Sequence, residues 1–495
     1  MKVAALWALV ASTALAVTPD VELVARAPDN VATRVTNDLK PRQASSGDLP
    51  IVTMKGNAFF AGDDRFYIRG IAYQPGGAAD PADPLLDIPA LTRDIKHFKE
   101  LGINTIRIYT VDNSATHAEG MKLLADAGIY LCLDLNTPGH SLNRQDNETL
   151  FLSYNEKYLQ SVFATIDLFS GYSNMLMMIN GNEVINERNN TIAAPYIKAL
   201  QRDIKAYMSA RKYRNIPVGY AAADVAENID QQLAYFDCGP DGTRGDFFAL
   251  NDYSWCDPSS FTISGWDKKV EKLKGYGAAL VMAEFGCITN RRDWGEVASL
   301  FSSNMTGVYS GGLAYEYSVE PNGYGIVSID NAGSIEPNAD FDRLVTAFKK
   351  TPNPKGDGGY NPNPTASECP AFGEDWAVED LLLPAMPEMA QDYFSKGAGK
   401  GPGIGKDVTP SQYGGESYSP GMIAMDGSAA TSSNSNGNGN GNGNSNGNSN
   451  GGSSASDANS SSAASQLAGP QSLSVMALPM IVSAVGLFAG FGLGL

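Results

Sequence analysis

Two stretches of sequence decide the fold: Met175-Leu-Met-Met-Ile-Asn-Gly-Asn-Glu-Val184 and Leu280-Val-Met-Ala-Glu-Phe-Gly-Cys287. Each is a short apolar run typical of a buried β-strand, and each places a glutamate, Glu183 or Glu284, at or just beyond its C-terminal end. Burial disfavours the charged form of a carboxylate, so an acid in such a place carries a cost unless it is used. Two acids that face one cleft are what glycosidic bond cleavage requires. We therefore predict an enzyme that processes glycosides.

The surrounding sequence alternates strand-like and helix-like segments from about residue 50 to residue 350. Helical patterns fill the gaps between eight apolar runs; Leu91–Leu101 and Met121–Ala127, for example, are each followed by a glycine, as helices commonly are. This alternation predicts an α/β fold, a (β/α)8 TIM barrel, in which the C-terminal ends of the strands face the active site. Both glutamates fall there, at the fourth and seventh runs. The eight runs are Phe66–Tyr73, Asn104–Tyr109, Ile129–Leu135, Met175–Asn180, Ile216–Ala221, Asp246–Leu250, Ala279–Glu284 and Gly312–Tyr317.

Other classes of protein are disfavoured. A doubly wound open sheet is the alternative architecture, but no Gly-x-Gly-x-x-Gly follows the first run to support dinucleotide binding. The formal charge of −18 argues against a nucleic-acid partner or an anionic membrane surface, since both would demand a basic face. The histidines, His97, His117 and His140, show no paired ligand spacing, so we expect no metal and no cofactor.

The start of the chain predicts export. Lys2 precedes an apolar stretch from Val3 to Val17, which is typical of a signal peptide over residues 1–17, followed by an N-terminal segment over residues 18–49. An N-terminal membrane helix is the alternative, but the run is shorter than the roughly 20 residues that span a bilayer. Three Asn-x-Thr sequons agree with export, because they are acceptor sites only in a secreted chain. They begin at Asn147, Asn189 and Asn304.

The chain beyond the predicted barrel, residues 50–350, changes composition twice. Residues 351–425 are rich in Gly and Pro and predict a short irregular C-terminal extension packed on or near the barrel, with a possible helix at Ala377–Met389. Residues 426–466 are almost entirely Ser, Asn, Gly and Ala, which predicts a disordered stalk that serves as a flexible linker.

The last residues match the layout of a glycosylphosphatidylinositol (GPI) attachment signal. Small residues begin at Asn459, a polar spacer follows, and Leu473–Leu495 is apolar. This pattern predicts an anchor at Asn459 and removal of a tail over residues 467–495. The mature chain would be tethered to the outer leaflet of the plasma membrane, with the cell wall as a second possible destination. A retained membrane span is the alternative.

Five segments of the predicted barrel resemble the fungal GPI-anchored β-1,3-glucanosyltransferases of glycoside hydrolase family 72. The resemblance covers the whole barrel and extends to the leader and the anchor signal. Because no cysteine follows Cys369, it points to the branch without a cysteine-rich C-terminal module. The segments are Gly70–Gly77, Leu101–Asn113, Leu133–Pro138, Gly181–Val184 and Glu284–Cys287.

This resemblance implies a retaining mechanism on β-1,3-glucan. Glu183 would be the general acid that protonates the leaving oxygen, and Glu284 the nucleophile that forms a covalent glycosyl-enzyme. The two carboxyl groups of such enzymes lie about 5 to 5.5 Å apart. Glu183, then acting as base, would pass the glycosyl group to a hydroxyl of a second β-1,3-glucan chain instead of water. The roles require Glu183 protonated and Glu284 ionised at the first attack.

The resemblance also implies supporting residues. Asn182 would hydrogen-bond the sugar 2-hydroxyl, and Tyr253 would orient the nucleophile. The family's Asn-Asn-Tyr-Glu-Trp-Cys stretch has Ser254 in place of the glutamate, with an undetermined effect on glucan contacts. Further side chains at strand ends could bond or stack on sugar rings, although core packing is the alternative for the aromatic ones. These are Gln74, Tyr109, Asp134, Tyr315 and Tyr317.

The five cysteines are expected to pair in an exported domain. The resemblance implies bridges Cys238–Cys369 and Cys256–Cys287. Cys132 is left over inside the third strand run, where a small buried hydrophobe is expected rather than a reactive thiol. The family's further bridge near the second strand is replaced here by Leu91 and Gly120.

Three functions remain open at this point. The first is a transglycosylase that remodels wall glucan, the second is a plain endo-β-1,3-glucanase, and the third is a non-catalytic wall protein that binds glucan. The presence of both glutamates weighs against the third. The first two differ in acceptor sites and water exclusion, which the sequence does not reveal.

Overall fold

The computed structural model describes residues 49–77, 82–330, 332–379, 381–405, 409–413 and 421–425. The predicted signal peptide, the stalk, Asn459 and the apolar tail lie outside these residues, as does nearly all of the segment 18–49. The described chain begins with three short antiparallel strands, β1 (Val52–Lys55), β2 (Ala58–Ala61) and β3 (Asp64–Arg65). Phe59 of β2 packs with the interior side chains of the following sheet, including Phe247, so this small sheet closes one end of the barrel.

Eight parallel strands then form a closed barrel, each hydrogen-bonded to its neighbours in chain order, with the last paired to the first. The predicted (β/α)8 TIM barrel is therefore confirmed. Its strands are almost wholly buried, as expected for a parallel sheet covered by helices. They are β4 (Ile68–Ala72), β5 (Thr105–Ile108), β6 (Tyr130–Asp134), β7 (Met175–Asn182), β8 (Val218–Ala223), β9 (Phe247–Asn251), β10 (Ala279–Phe285) and β11 (Tyr309–Ala314).

The eighth strand begins at Tyr309, three residues before the predicted start at Gly312. A glycine pair explains the difference, because Gly311 has φ +96° and a Cβ there would lie 2.1 Å from the carbonyl oxygen of Ile68. The backbones of β11 and β4 thus pack in a way that only glycine permits. As a consequence, Tyr315 follows the strand directly and Tyr317 lies beyond it.

Helices cover the outside of the barrel. In α1, the Asp87 carboxylate caps the N-terminus by accepting from the Ala90 amide at 3.0 Å, and Gly102 ends the helix at φ 71°. Its buried face presents Leu91, Ile95 and Phe98 to the core. The helices are α1 (Ile88–Leu101), α2 (Ala118–Asp126), α3 (Leu150–Ser153), α4 (Glu156–Phe169), α5 (Ala194–Ala210), α6 (Ile229–Asp237), α7 (Trp266–Leu273), α8 (Gly295–Leu300), α9 (Ala339–Lys350) and α10 (Glu388–Lys396).

The C-terminal extension packs on the barrel's helices. Its strand β14 (Leu382–Pro384) pairs with β15 (Met422–Ala424), whereas the small hairpin of β12 (Val327–Ile329) and β13 (Ile335–Pro337) lies before α9, between the last barrel strand and the extension. Helix α10 lies against α4 and α5. The possible helix at Ala377–Met389 is wrong: a strand occupies its middle, and the helix begins only at Glu388. Pro384 and Pro387 account for this, because the residue before a proline avoids the helical region and a proline is tolerated only at a helix start.

Both predicted disulfides are present. Cys238–Cys369 ties the extension to the end of α6, and Cys256–Cys287 links the segments that follow β9 and β10. Cys132 is free and buried in β6, where burial raises the pKa of its thiol well above the ordinary value, so it is a packed side chain rather than a nucleophile.

The described residues contain neither a metal-binding cluster nor a membrane-spanning helix. Their His, Cys, Asp and Glu side chains form no group of three or more that could hold a metal ion. Among the helices given above, none combines the length and the apolar character needed to cross a bilayer.

Candidate active site

Both glutamates lie at the C-terminal mouth of the barrel, each just after a β-bulge. The pairing of β7 with β8 shifts register between Ile179 and Asn182, and the pairing of β10 with β9 shifts between Met282 and Glu284. A bulge inserts an extra residue and re-aims the side chains that follow it. The fold therefore presents the two carboxyl groups at one opening by the same backbone device on two strands.

Glu284 is buried and held by three donors. Its side chain is 9% exposed. Its Oε1 accepts from the Tyr109 hydroxyl at 2.8 Å and from Arg107 Nη1 at 3.1 Å, while its Oε2 accepts from the Tyr253 hydroxyl at 2.7 Å. A carboxylate is acceptor-only, so three converging donors, one of them a guanidinium, suit the ionised form.

Burial and these donors act in opposite directions on the Glu284 carboxyl. Desolvation, together with the nearby Glu183 charge, raises its pKa, whereas Arg107, Tyr253 and Tyr109 lower it, and the net pKa is about 7. In the free protein the carboxyl is therefore ionised above about pH 7. The donors oppose the burial penalty, which on its own favours the protonated carboxyl.

Glu183 has a more open surrounding. It is only partly buried, and its Oε1 accepts one hydrogen bond, from Asn251 Nδ2 at 2.7 Å. Its backbone lies at φ 48°, a region that L-residues rarely adopt and that costs about 1–3 kcal/mol. The backbone is fixed there because the Glu183 amide donates to the Ala221 carbonyl at 2.8 Å and its carbonyl accepts from Arg144.

Arg107 connects the two glutamates. Its guanidinium is fully buried and binds Asp134 through two bonds, of 3.0 and 2.9 Å, as well as Asn182 Oδ1 at 2.9 Å and Glu284. Asn251 Nδ2 completes the connection, because it donates to Asn182 Oδ1 at 3.1 Å as well as to Glu183. Two donors thus occupy the Oδ1 atom of Asn182. The Nδ2 atom of Asn182 is therefore the one that could make the predicted bond to a sugar 2-hydroxyl.

Arg107 and Asn251 were missed as site residues in the sequence. The signal for Arg107 was present, because an arginine inside an apolar strand run requires an anionic partner. Asp134 was the nearest candidate, since Arg107 pairs with Cys132 in the sheet register, two residues from Asp134. Asn251 offered no comparable signal, because asparagine is common where a strand ends.

Two predicted substrate-binding residues are placed differently by the structure. Asp134 is 2% exposed and gives both carboxylate oxygens to Arg107, so it positions that arginine and does not face a sugar. Tyr317 is fully buried behind the barrel wall, where its hydroxyl donates to Asp94 at 3.0 Å and its ring packs on Phe98. It is a core residue because the chain has already left the mouth after Tyr315.

Gln74 lies at the mouth, where its side chain bonds the backbone of neighbouring segments. Its Oε1 accepts from the amides of Tyr109 and Thr110, both at 3.1 Å, and its Nε2 donates to the Ala82 carbonyl at 2.7 Å. These bonds fix the backbone of Tyr109, one of the donors to Glu284.

Three tyrosines form an aromatic wall beside Glu284: Tyr253, Tyr315 and Tyr324. The ring centroids of Tyr324 lie 5.4 Å from Tyr253 and 5.3 Å from Tyr315, and the rings meet edge to face. Tyr324 was not predicted, because it comes from the loop after β11. Ser254 is exposed, and its hydroxyl donates to the Asp252 carboxylate at 2.6 Å, so this side chain is held within its own loop.

Comparison with known proteins defines the class. Residues 42–352 match the sequence profile of the glucanosyltransferases of glycoside hydrolase family 72, and the chain belongs to this family. Among its relatives, it is 55% identical to the 1,3-beta-glucanosyltransferase gel1 of Aspergillus fumigatus over 365 residues, which cover 74% of this chain and 80% of gel1. It is 46% identical to the 1,3-beta-glucanosyltransferase GAS5 of Saccharomyces cerevisiae over 367 residues, covering 73% and 75%.

A solved structure agrees with this assignment. Saccharomyces cerevisiae Gas2p in complex with laminaripentaose matches with a TM-score of 0.63 and 34% identity, over 69% of this chain and 77% of that chain.

Proposed function

We propose that this protein is a retaining β-1,3-glucanosyltransferase that cleaves one β-1,3-glucan chain and transfers the glycosyl part to another. The observation that carries the proposal is the pair of unlike carboxyl groups at one barrel mouth. Glu284 is buried and held by three donors, whereas Glu183 is open to the cleft with a single one. Two carboxyl groups whose environments differ in this way can divide the roles of nucleophile and acid. The names of the relatives and the laminaripentaose bound to Gas2p support the choice of β-1,3-glucan.

In the first step the ionised Glu284 attacks the anomeric carbon while Glu183 gives its proton to the glycosidic oxygen. The bond to the leaving glucan breaks, and a glycosyl ester with Glu284 forms. Asn182 Nδ2 would bond the sugar 2-hydroxyl, a contact that strengthens as positive charge develops on the ring. Tyr109, Tyr253 and Arg107 hold the carboxylate for attack.

In the second step Glu183, now a base, takes the proton of an acceptor hydroxyl. That oxygen attacks the anomeric carbon, the Glu284 ester is released, and the new bond is again β-1,3. The two inversions retain the configuration, and they require the carboxyl groups to lie about 5 to 5.5 Å apart. A crystal structure with a bound laminari-oligosaccharide measures that distance.

Product size tests the proposal. The protein is incubated with a laminari-oligosaccharide whose reducing end has been reduced, and the products are sized. Products longer than the substrate are expected. Only shorter products would indicate an endo-β-1,3-glucanase, and unchanged substrate would indicate glucan binding alone.

The proposed site of action is the outer face of the plasma membrane, through a GPI anchor at Asn459. This part rests on the sequence pattern of the two termini. Release of the protein from intact cells by a phosphatidylinositol-specific phospholipase is expected, and retention after treatment would point to a membrane span or to attachment to the wall.

A further inference from the structure

A groove of about 650 Å³ runs along α7 on the helical layer of the barrel, and Asn304 forms part of its wall. Its volume falls in the range of small-molecule sites, about 300–1,000 Å³. Asn304 begins the third sequon and is exposed in the segment between α8 and β11. None of the residues that line the groove belongs to the active site described above.

The lining of the groove suits a neutral, amphipathic ligand. Phe261 and Val270 give it an apolar floor; the first is partly buried and the second is 6% exposed. Two acids and two lysines balance in charge around them, and one pair of these is joined by an ion pair. The charged residues are Asp267, Lys268, Glu271 and Lys274.

We propose that this groove is the docking site of the N-linked glycan on Asn304 and holds its first two N-acetylglucosamine units. These sugars are uncharged, they present an apolar C–H face that can lie on Phe261, and an N-acetyl carbonyl can accept from Lys268, which is exposed in the groove wall. Covalent attachment at the wall makes docking intramolecular, so weak contacts suffice. The inference requires glycosylation of Asn304, and it is independent of the catalytic proposal.

The other sequons provide a matched control. Asn189 is also exposed, but it does not line the groove; its backbone carbonyl accepts from Asn147 Nδ2 at 3.2 Å on a different loop. Sugars at Asn189 would extend from the surface without a prepared site. Removal of the Asn304 glycan should therefore have a local effect that removal of the Asn189 glycan lacks.

The test uses the glycosylated full-length protein from a secreting host, with Asn304→Gln and Asn189→Gln variants. Loss of the Asn304 glycan should accelerate hydrogen exchange of the 261–274 segment about tenfold and lower the Tm by about 2–4 °C. Asn189→Gln should change neither, and product formation from laminari-oligosaccharides should be normal in both variants. An unmodified Asn304, by mass spectrometry of its peptide, or equal exchange in all three proteins overturns the proposal.

Two further measurements separate sugar contact from an effect of the Asn304 substitution itself. Trimming of the folded protein to one N-acetylglucosamine should give exchange between the glycosylated and Asn304→Gln values. In a Phe261→Ala background, Asn304→Gln should change exchange much less than in the wild type. Full additivity of the two substitutions, or no response to trimming, would also overturn docking.

Discussion

The ends of β7 and β10 carry the same acid after the same kind of bulge, and they differ in what surrounds it. Glu284 lies below the surface with donors on both oxygens, whereas Glu183 faces the opening from a left-handed backbone with Asn251 as its donor. The backbone thus decides where the two carboxyl groups are placed, and the neighbouring side chains decide what each can do. Four substitutions can break or sharpen this comparison.

Glu284→Gln should have the largest effect, because it removes the carboxylate that we propose as the nucleophile. We expect both transfer and hydrolysis to fall by on the order of 10⁴-fold or more. The measurement is product formation from a reduced laminari-oligosaccharide, with circular dichroism to show that the variant is folded. Substantial residual transfer would show that the nucleophile has been misassigned.

The same variant should be more stable than the wild type at high pH. The folded pKa of Glu284, about 7, lies above the ordinary value of 4.5, so the folded state binds more protons and stability falls as the pH rises through this window. The ionised group then costs about 3 kcal/mol at pH 8, by 1.36 kcal/mol for each pH unit of the shift. Thermal melts should show a gain in the Tm of Glu284→Gln at pH 8 that shrinks towards pH 4.5.

Glu183→Ala should lower the rate by about 10² to 10⁴-fold, the usual contribution of a general acid. Its loss should be repaired in part by an aryl glycoside, whose leaving group needs little protonation, and by azide, which can attack the glycosyl-enzyme without a base. A β-linked glycosyl azide, identified by NMR, is the expected product. If azide rescues Glu284→Ala with a β-linked product instead, the two roles are exchanged.

Arg107→Lys tests the link between the two ends. Lysine keeps the charge but cannot form the two-bond contact with Asp134 and also reach Asn182 and Glu284. We expect kcat to fall about 10²-fold with little change in KM, and the acid limb of the pH profile to move upward because Arg107 lowers the pKa of Glu284. An unchanged pH profile would mean that Arg107 is only a structural residue.

Sequence patterns were sufficient for the strands and the acids, and insufficient for the partners. Apolar runs located Glu183 and Glu284 because a carboxylate after a buried strand is costly and therefore conspicuous. The bulges before them leave no mark on composition, and Tyr324 reaches the site on a loop whose path depends on tertiary packing. Tyr315 and Tyr317 are two residues apart and looked equivalent, yet the chain turns between them, so one lies at the mouth and the other in the core.

Tyr253→Phe should have the smallest effect on activity, because it removes only one of the hydrogen bonds to Glu284. The hydroxyl lowers the pKa of the carboxyl, so its loss should move the acid limb of kcat/KM to higher pH and reduce activity most at low pH, by about tenfold. Tyr317→Phe is the matched control: it also removes one tyrosine hydroxyl, but the lost bonds are to Asp94 and His97, and none is to Glu284. That variant should lose stability, visible as a lower Tm, and keep the pH profile of the wild type. Equal shifts of the acid limb in both variants would mean that the shift follows from a general loss of barrel stability. It would then not measure the ionisation of the carboxyl group at the end of β10.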